Sequence, residues 1–297
     1  MARRNIKNYN VFDNHTYYVP GVADMFVLLA WLLAGALLGN IVTLGFSSIL
    51  GPEAGMEYGM IVAYPVMFIP AMIYAGHVSS RNSLVRKGVK LDSNNFGGGH
   101  RGWICAAVAM VATLATGFCS DAITSLMPPM PEWLETILES MTNGNVFVNL
   151  LCVSIFAPLF EEWLCRGMVL RGLLNHGMKP GWSILVSAVF FAIIHANPWQ
   201  AIPACILGSL FGYVYYKTGS LKLTMLMHCT NNTFAIICSN IKGFENMTTW
   251  TDVLSGADYM ITFVCCLIVI ALAVWYFWRI PLNSPKGNCD ITPKLFD

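Results

Sequence analysis

The sequence predicts an all-α membrane protein, a bundle of about eight transmembrane helices with both termini in the cytoplasm. Three observations predict it. Only 11% of the 297 residues are charged while 56% are hydrophobic, against about 25% charged in ordinary soluble domains. Apolar runs of spanning length recur along the whole chain, and a span needs roughly 20 such residues. All of the 17 Lys and Arg residues except Lys242 fall in tails and loops on one side of those runs, the side that the positive-inside rule assigns to the cytoplasm.

The runs lie near 25–49, 58–76, 103–120, 146–165, 181–196, 199–216, 223–240 and 260–278. In lipid only helices and closed barrels satisfy every backbone polar group, and runs this long read as helices. The first is long enough to tilt, or to break at Gly35 or Gly39. It begins too late and runs too far for a cleaved signal peptide. The outer loops carry Glu53, Glu57, Asp121, Glu132, Glu135, Glu139, Glu245, Asp252 and Asp258. Shifting boundaries by a few residues does not reverse such a bias. With no eukaryotic retention signal, the composition fits a bacterial plasma membrane.

Between the runs, residues 77–102 form a basic, glycine-rich connection ending "LDSNNFGGGHRG". In 128–145, Pro131 can open a short helix. Trp133, Leu134, Ile137, Leu138 and Met141 take one side of it, and Glu132, Glu135 and Glu139 the other, the pattern of an amphipathic helix lying on the interface. The ten cysteines form no CxxC pair or regular framework, so they read as small, buried, reduced side chains. No basic block points to nucleic acid. No repeat or low-complexity linker divides the chain, so 1–297 reads as one integral membrane domain.

Charged groups at membrane depth cost about 2.5–3.5 kcal/mol each and face a partner or a wet cavity, so the few present are informative. In "LCVSIFAPLFEEWLCRGMVLRG", residues 151–172, they are Glu161 and Glu162 with Arg166 behind them. Glu162 and Arg166 stand four apart, on one helical face. Glu161 is rotated about 100° away and points into another groove. An ion pair plus one helix-end acid would account for these three alone. Two later runs add "FFAIIHANP", with Phe191 and His195 one turn apart, and "LTMLMHCTNNTF", with His228 and Asn232 at i and i+4. Glue between membrane helices favours Ser, Thr, Asn and small residues, not a glutamate with two histidines.

The set has one coherent chemistry. A carboxylate in an apolar pocket is a stronger proton acceptor than one in water, which suits a general base acting on water. A neutral imidazole can position the same water. A second histidine and an amide supply donors for an oxyanion. No in-span Ser or Cys is placed beside a histidine as nucleophile, since Cys229 and His228 are helix neighbours that do not face each other. Hydrolysis by activated water is the reading.

The order EExxxR, FxxxH and HxxxN resembles the CAAX protease and bacteriocin-processing family of intramembrane proteases. Its motifs stand here as Glu161-Glu162-Trp-Leu-Cys-Arg166, Phe191-Ala-Ile-Ile-His195 and His228-Cys-Thr-Asn-Asn232. The resemblance covers about 146–240, the expected catalytic core. It implies an eight-helix endopeptidase whose site opens toward the cytoplasm, acting on a peptide or protein, lipidated or not, presented at the bilayer. It makes Glu161 the general base, His195 its partner on the water, and His228 with Asn232 the oxyanion-stabilising pair. Glu162, Arg166 and Phe191 become supports. It leaves the cofactor open between none and zinc. There is no HExxH, and Glu161, His195 and His228 would be the zinc ligands; the metal-free route is favoured.

Two other classes compete: a proton- or ion-coupled transporter, for which matched half-repeats are missing, and a non-catalytic scaffold, which would not need all four polar residues. One geometric demand follows. At 1.5 Å per residue, Glu161 and His195 sit toward opposite ends of their runs. They meet if the fourth helix continues past Arg171, if helices five and six form a short hairpin, or both.

Overall fold

A computed structural model describes residues 14–93, 102–134, 144–244 and 249–281. Every described run predicted as a span is helical, and no β-strand occurs among the described residues. The helices are α1 (Val22–Leu50), α2 (Pro52–Asn82), α3 (Gly102–Thr124), α4 (Val146–Asn175), α5 (Pro180–Ile194), α6 (Pro198–Thr218), α7 (Leu221–Ser239) and α8 (Gly256–Arg279). Five of them, α1, α2, α3, α4 and α8, are long and apolar enough to cross a membrane. The other three fall short for local reasons. α5 has only 15 residues, and α6 and α7 dilute their apolar residues with Gln200, Ser209, His228, Asn231 and Asn232.

Polar caps set the ends. Asn145, Asn197, Ser220 and Ser255 each accept a backbone N–H of the helix that follows, filling donors that a helix start leaves unpaired. α1 runs unbroken through Gly35 and Gly39. Gly35 permits close packing rather than a break, because a Cβ there would collide with the Met67 carbonyl of α2. Of the short interfacial helix predicted in 128–145, residues 132–134 are helical; Trp133 is exposed and Leu134 buried. Residues 135–143 of that segment, like the glycine-rich 94–101, lie outside the described residues.

Both helix arrangements named in the sequence reading are present. α4 continues past Arg171 to Asn175, and α5 with α6 forms a hairpin whose first arm is too short to span. α1 and α2 form a second hairpin, which reaches the rest of the bundle through α2 against α4. α4 is the hub, touched by α2, α5, α6 and α7, and every side chain from Trp163 to Leu170 is buried. On the far side α3, α6, α7 and α8 share a smaller core around Phe211, Leu223 and Phe277. α1 and α8 expose Phe26, Leu37, Leu44, Ile261 and Leu272. That apolar surface is a liability in water and suits contact with lipid.

Residues 14–20 dock where α2 and α4 end. Tyr17 N–H donates to Ser79 Oγ at 3.1 Å and Val89 N–H to the Thr16 carbonyl at 2.8 Å. The buried Arg171 guanidinium gathers the Tyr18 carbonyl at 2.5 Å and the Val89 carbonyl at 2.7 Å. This end of α4 is therefore held by the chain that precedes α1.

Candidate active site

α4 is not a uniform helix. Leu150–Phe156 and Trp163–Leu170 are wound as π-helix, with the α-helical turn Ala157–Glu162 between them. Such π turns are rare and concentrate at functional sites. The intervening turn ends on the two glutamates, so the wider coils on either side set where both carboxylates point.

Glu162 is fully buried and pairs with Arg166 Nη1 at 2.7 Å, across the i,i+4 spacing seen in the sequence. The guanidinium also donates through Nη2 to the Gly208 carbonyl at 2.9 Å, and lies 4.6 Å over the Phe191 ring and 5.4 Å over Phe211. Cation–π contact of this kind strengthens when water is excluded. Charge pairing, a carbonyl and two ring faces together make burial of the ion pair tolerable.

Glu161 points elsewhere, as its rotation requires. Tyr64 Oη, from α2, donates to Glu161 Oε1 at 2.5 Å. The other oxygen, Oε2, is buried and has no hydrogen-bond partner among the described residues. His228 from α7 lies between the two acids. Its Nδ1 is 3.2 Å from Glu162 Oε1 and its Nε2 is 3.9 Å from Glu161 Oε2. One imidazole thus touches both carboxylates.

His195 ends α5. Its Nδ1–H donates to the Phe191 carbonyl at 2.8 Å, which leaves Nε2 as the acceptor nitrogen. The next residue, Ala196, takes a left-handed φ of 57°, a conformation costing a non-glycine residue roughly 1–2 kcal/mol. Asn197 then caps α6 through Gln200 N–H at 2.9 Å. Phe191 joins the two histidines: its ring lies edge-on to His195 at 4.8 Å and to His228 at 5.4 Å. Neither Glu161 nor Glu162 hydrogen-bonds His195 among the described residues; the ring links His195 to His228.

Asn232 has a different neighbour. Its Nδ2 donates to the Val153 carbonyl of α4 at 2.8 Å, and its Oδ1 accepts from Asn231 Nδ2 at 3.2 Å. So Glu161, Glu162, Arg166, Phe191 and His228 form one contact cluster, with His195 against one side of it and Asn232 one turn along α7. Among the described residues no group of three or more His, Cys, Asp and Glu side chains is arranged to hold a metal ion.

Two contributors escaped the sequence reading. Gly208 carries the carbonyl that Arg166 uses, and a glycine in an apolar helix has no distinctive mark. Tyr64 did have one: it is a phenol in the middle of an apolar run, in "VAYPVMF", and a buried hydroxyl needs a partner.

Residues 143–234 match the family model for the type II CAAX prenyl endopeptidases, Rce1-like. Over that segment the chain is similar to the Rce1-like family. The matched segment runs from the start of α4 into α7 and holds all three motifs, in agreement with the resemblance read from them. Relatives of the chain include the uncharacterized protein YyaK of Bacillus subtilis, 26% identical over 151 residues, 45% of this chain and 50% of YyaK. YxdF of Lactococcus lactis is 29% identical over 83 residues, 28% of this chain and 45% of YxdF. YdiL of Bacillus subtilis, whose name provisionally makes it a membrane peptidase, is 29% identical over 84 residues, 28% of this chain and 34% of YdiL. The matches thus span half or less of the length of these relatives. No solved structure matches the chain. The matched segment lies in a protein with five helices long and apolar enough to cross a membrane.

Proposed function

We propose that this protein is an intramembrane endopeptidase, with 146–240 as its catalytic core, that hydrolyses a peptide bond of a membrane-presented, CAAX-type peptide or protein. One observation carries the reading: Glu161 presents a buried carboxylate oxygen with no hydrogen-bond partner among the described residues, beside His228 and inside the Rce1-like segment. In this reading Oε2 of Glu161 takes a proton from a water, whose oxygen adds to the scissile carbonyl carbon. The C–N bond then breaks, and the proton passes to the departing amine. The Nε2 acceptor of His195 positions the water. His228 and the second amide hydrogen of Asn232 face the oxygen that becomes negative. Glu162 and Arg166 hold the turn that carries Glu161.

The work this asks of the site is ordinary. General base catalysis supplies about 10²–10⁴-fold, and one preorganised oxyanion donor a further 10²–10³-fold. The charge asymmetry of the loops supports both termini on the cytoplasmic side, and the family resemblance adds a site that opens to that side of a plasma membrane.

The test uses purified protein in liposomes with a mixed peptide pool that includes farnesylated CAAX peptides, products being read by mass spectrometry. Wild type is compared with Glu161→Gln and His195→Ala, each with and without a zinc chelator. Cleavage lost in both variants is the expected result, and wild-type activity that survives the chelator is expected for the metal-free route. Cleavage undiminished in both variants would remove the site assignment.

A further inference from the structure

Tyr64 stands on α2, 97 residues before Glu161 and outside the Rce1-like segment. Its O–H donates to Glu161 Oε1 at 2.5 Å, a length typical of hydroxyl-to-carboxylate bonds, which are about twice as strong as neutral ones. The contact is braced on both sides. The Tyr64 ring lies 5.8 Å from the Phe68 ring, and Phe68 stacks at 5.2 Å on Phe160, the residue just before Glu161. The same aromatic row therefore fixes the donor and the turn that bears the acceptor.

A carboxylate held by one oxygen loses the freedom to exchange its two oxygens. With Oε1 occupied by Tyr64, Oε2 is the one left facing His228 Nε2 at 3.9 Å, buried and with no other protein partner. We propose that Tyr64 is a positioning residue of this site, selecting which oxygen of Glu161 meets the water; this rests on the reading of Glu161 as the base. Tyr64 keeps its own proton throughout and touches no reacting atom. The choice also ties the α1–α2 hairpin to the chemistry, because α2 is the face by which that hairpin meets α4.

The test is Tyr64→Phe, which keeps the ring and its Phe68 contact and removes only the hydroxyl. Infrared difference spectra against Glu161→Gln isolate the Glu161 carboxyl band. The expected result is a shifted band in a Tyr64→Phe protein that remains folded, with Tyr58→Phe as the unshifted control. Kinetics on the farnesylated CAAX peptides should then show kcat down about 10–100-fold, as for a misplaced catalytic group, with KM unchanged, since no ground-state substrate contact is removed. An unshifted band, or a loss confined to KM and melting temperature, overturns the proposal. Activity retained by Glu161→Gln would instead overturn the reading of Glu161 as base. If the peptides are not cut by wild type, the infrared shift alone decides whether Tyr64 holds that carboxyl.

Discussion

Asn232 Nδ2 donates at 2.8 Å to the carbonyl of Val153, an acceptor five residues before Pro158. In the π-wound stretch the neighbouring Ala157 N–H reaches back five residues to Cys152. Continuing that ladder, the next donor to Val153 would be residue 158, and proline has none. The asparagine of the third motif thus closes a gap in the helix that carries the glutamates.

Asn232→Ala should cost about 1 kcal/mol, the net worth of one hydrogen bond at this half-buried carbonyl. Pro158→Ala supplies a backbone N–H at that rung, so the same asparagine substitution should cost less in that background. Thermal unfolding of wild type, both single variants and the double variant closes the cycle. Additive costs would show that the two residues do not share Val153.

Arg166 is the partner that makes Glu162 tolerable at zero exposure. Arg166→Leu leaves a buried carboxylate without its cation and should destabilise by about 3–5 kcal/mol. Combining it with Glu162→Leu should recover much of that loss, because removing both charges leaves nothing to desolvate. Folded yield and melting temperature in detergent would read both effects. A double variant no better than Arg166→Leu would mean that the guanidinium acts through Gly208 and the rings instead.

A Cβ at Gly208 would lie 3.0 Å from Arg166 Nη2 and 3.1 Å from Phe191 Cδ1. Both neighbours belong to the cluster around His228, and the guanidinium cannot give way without loosening Glu162. Gly208→Ala should therefore leave the bundle folded while lowering peptide cleavage by about 10²-fold, the scale of a 1 Å misplacement at a catalytic group. Activity on the CAAX peptides, compared at equal folded protein, decides it. Full activity would show that α6 moves aside without cost.

Much of this was legible in the sequence because its signals are local. Run lengths place most helices to within a few residues; α2 begins six residues before the predicted 58–76 run and ends six after it, and α4 continues ten residues past the end of the predicted 146–165 run. The i,i+4 spacing foretells the Glu162–Arg166 pair and the separate direction of Glu161. What escaped depends on winding and on distant partners. Periodicity assumes 3.6 residues per turn, so the two π stretches of α4 are invisible to it. Their consequence, the Asn232–Val153 bond, was invisible as well. Tyr64 and Gly208 reach the site through tertiary packing, from 97 residues away in one case and 42 in the other. His195 shows the limit of motif reading: the motifs name it beside Glu161, yet its ring contact is with Phe191, whose other edge-on neighbour is His228.

His15 supplies a prediction about pH. Its Nε2–H donates to the Met72 carbonyl at 3.2 Å, its ring stands edge-on to Trp163 at 5.3 Å, and Nδ1 is buried without a partner. Burial holds its pKa below the ordinary 6.5; the Met72 bond opposes that, and the Arg171 charge adds to it. A depressed pKa means that the folded state binds the proton less readily than the unfolded one. The contribution is therefore intact above pH 6.5 and is lost as pH falls from 6.5 toward the folded value. Docking of residues 14–20 should loosen over that range, seen as faster hydrogen exchange at Tyr17 and Val89 and a lower melting temperature. His15→Gln should flatten the dependence while leaving stability at pH 8 within about 1–2 kcal/mol, the cost of one neutral hydrogen bond. A wild-type melting temperature constant from pH 8 to pH 5 would refute the assignment to His15.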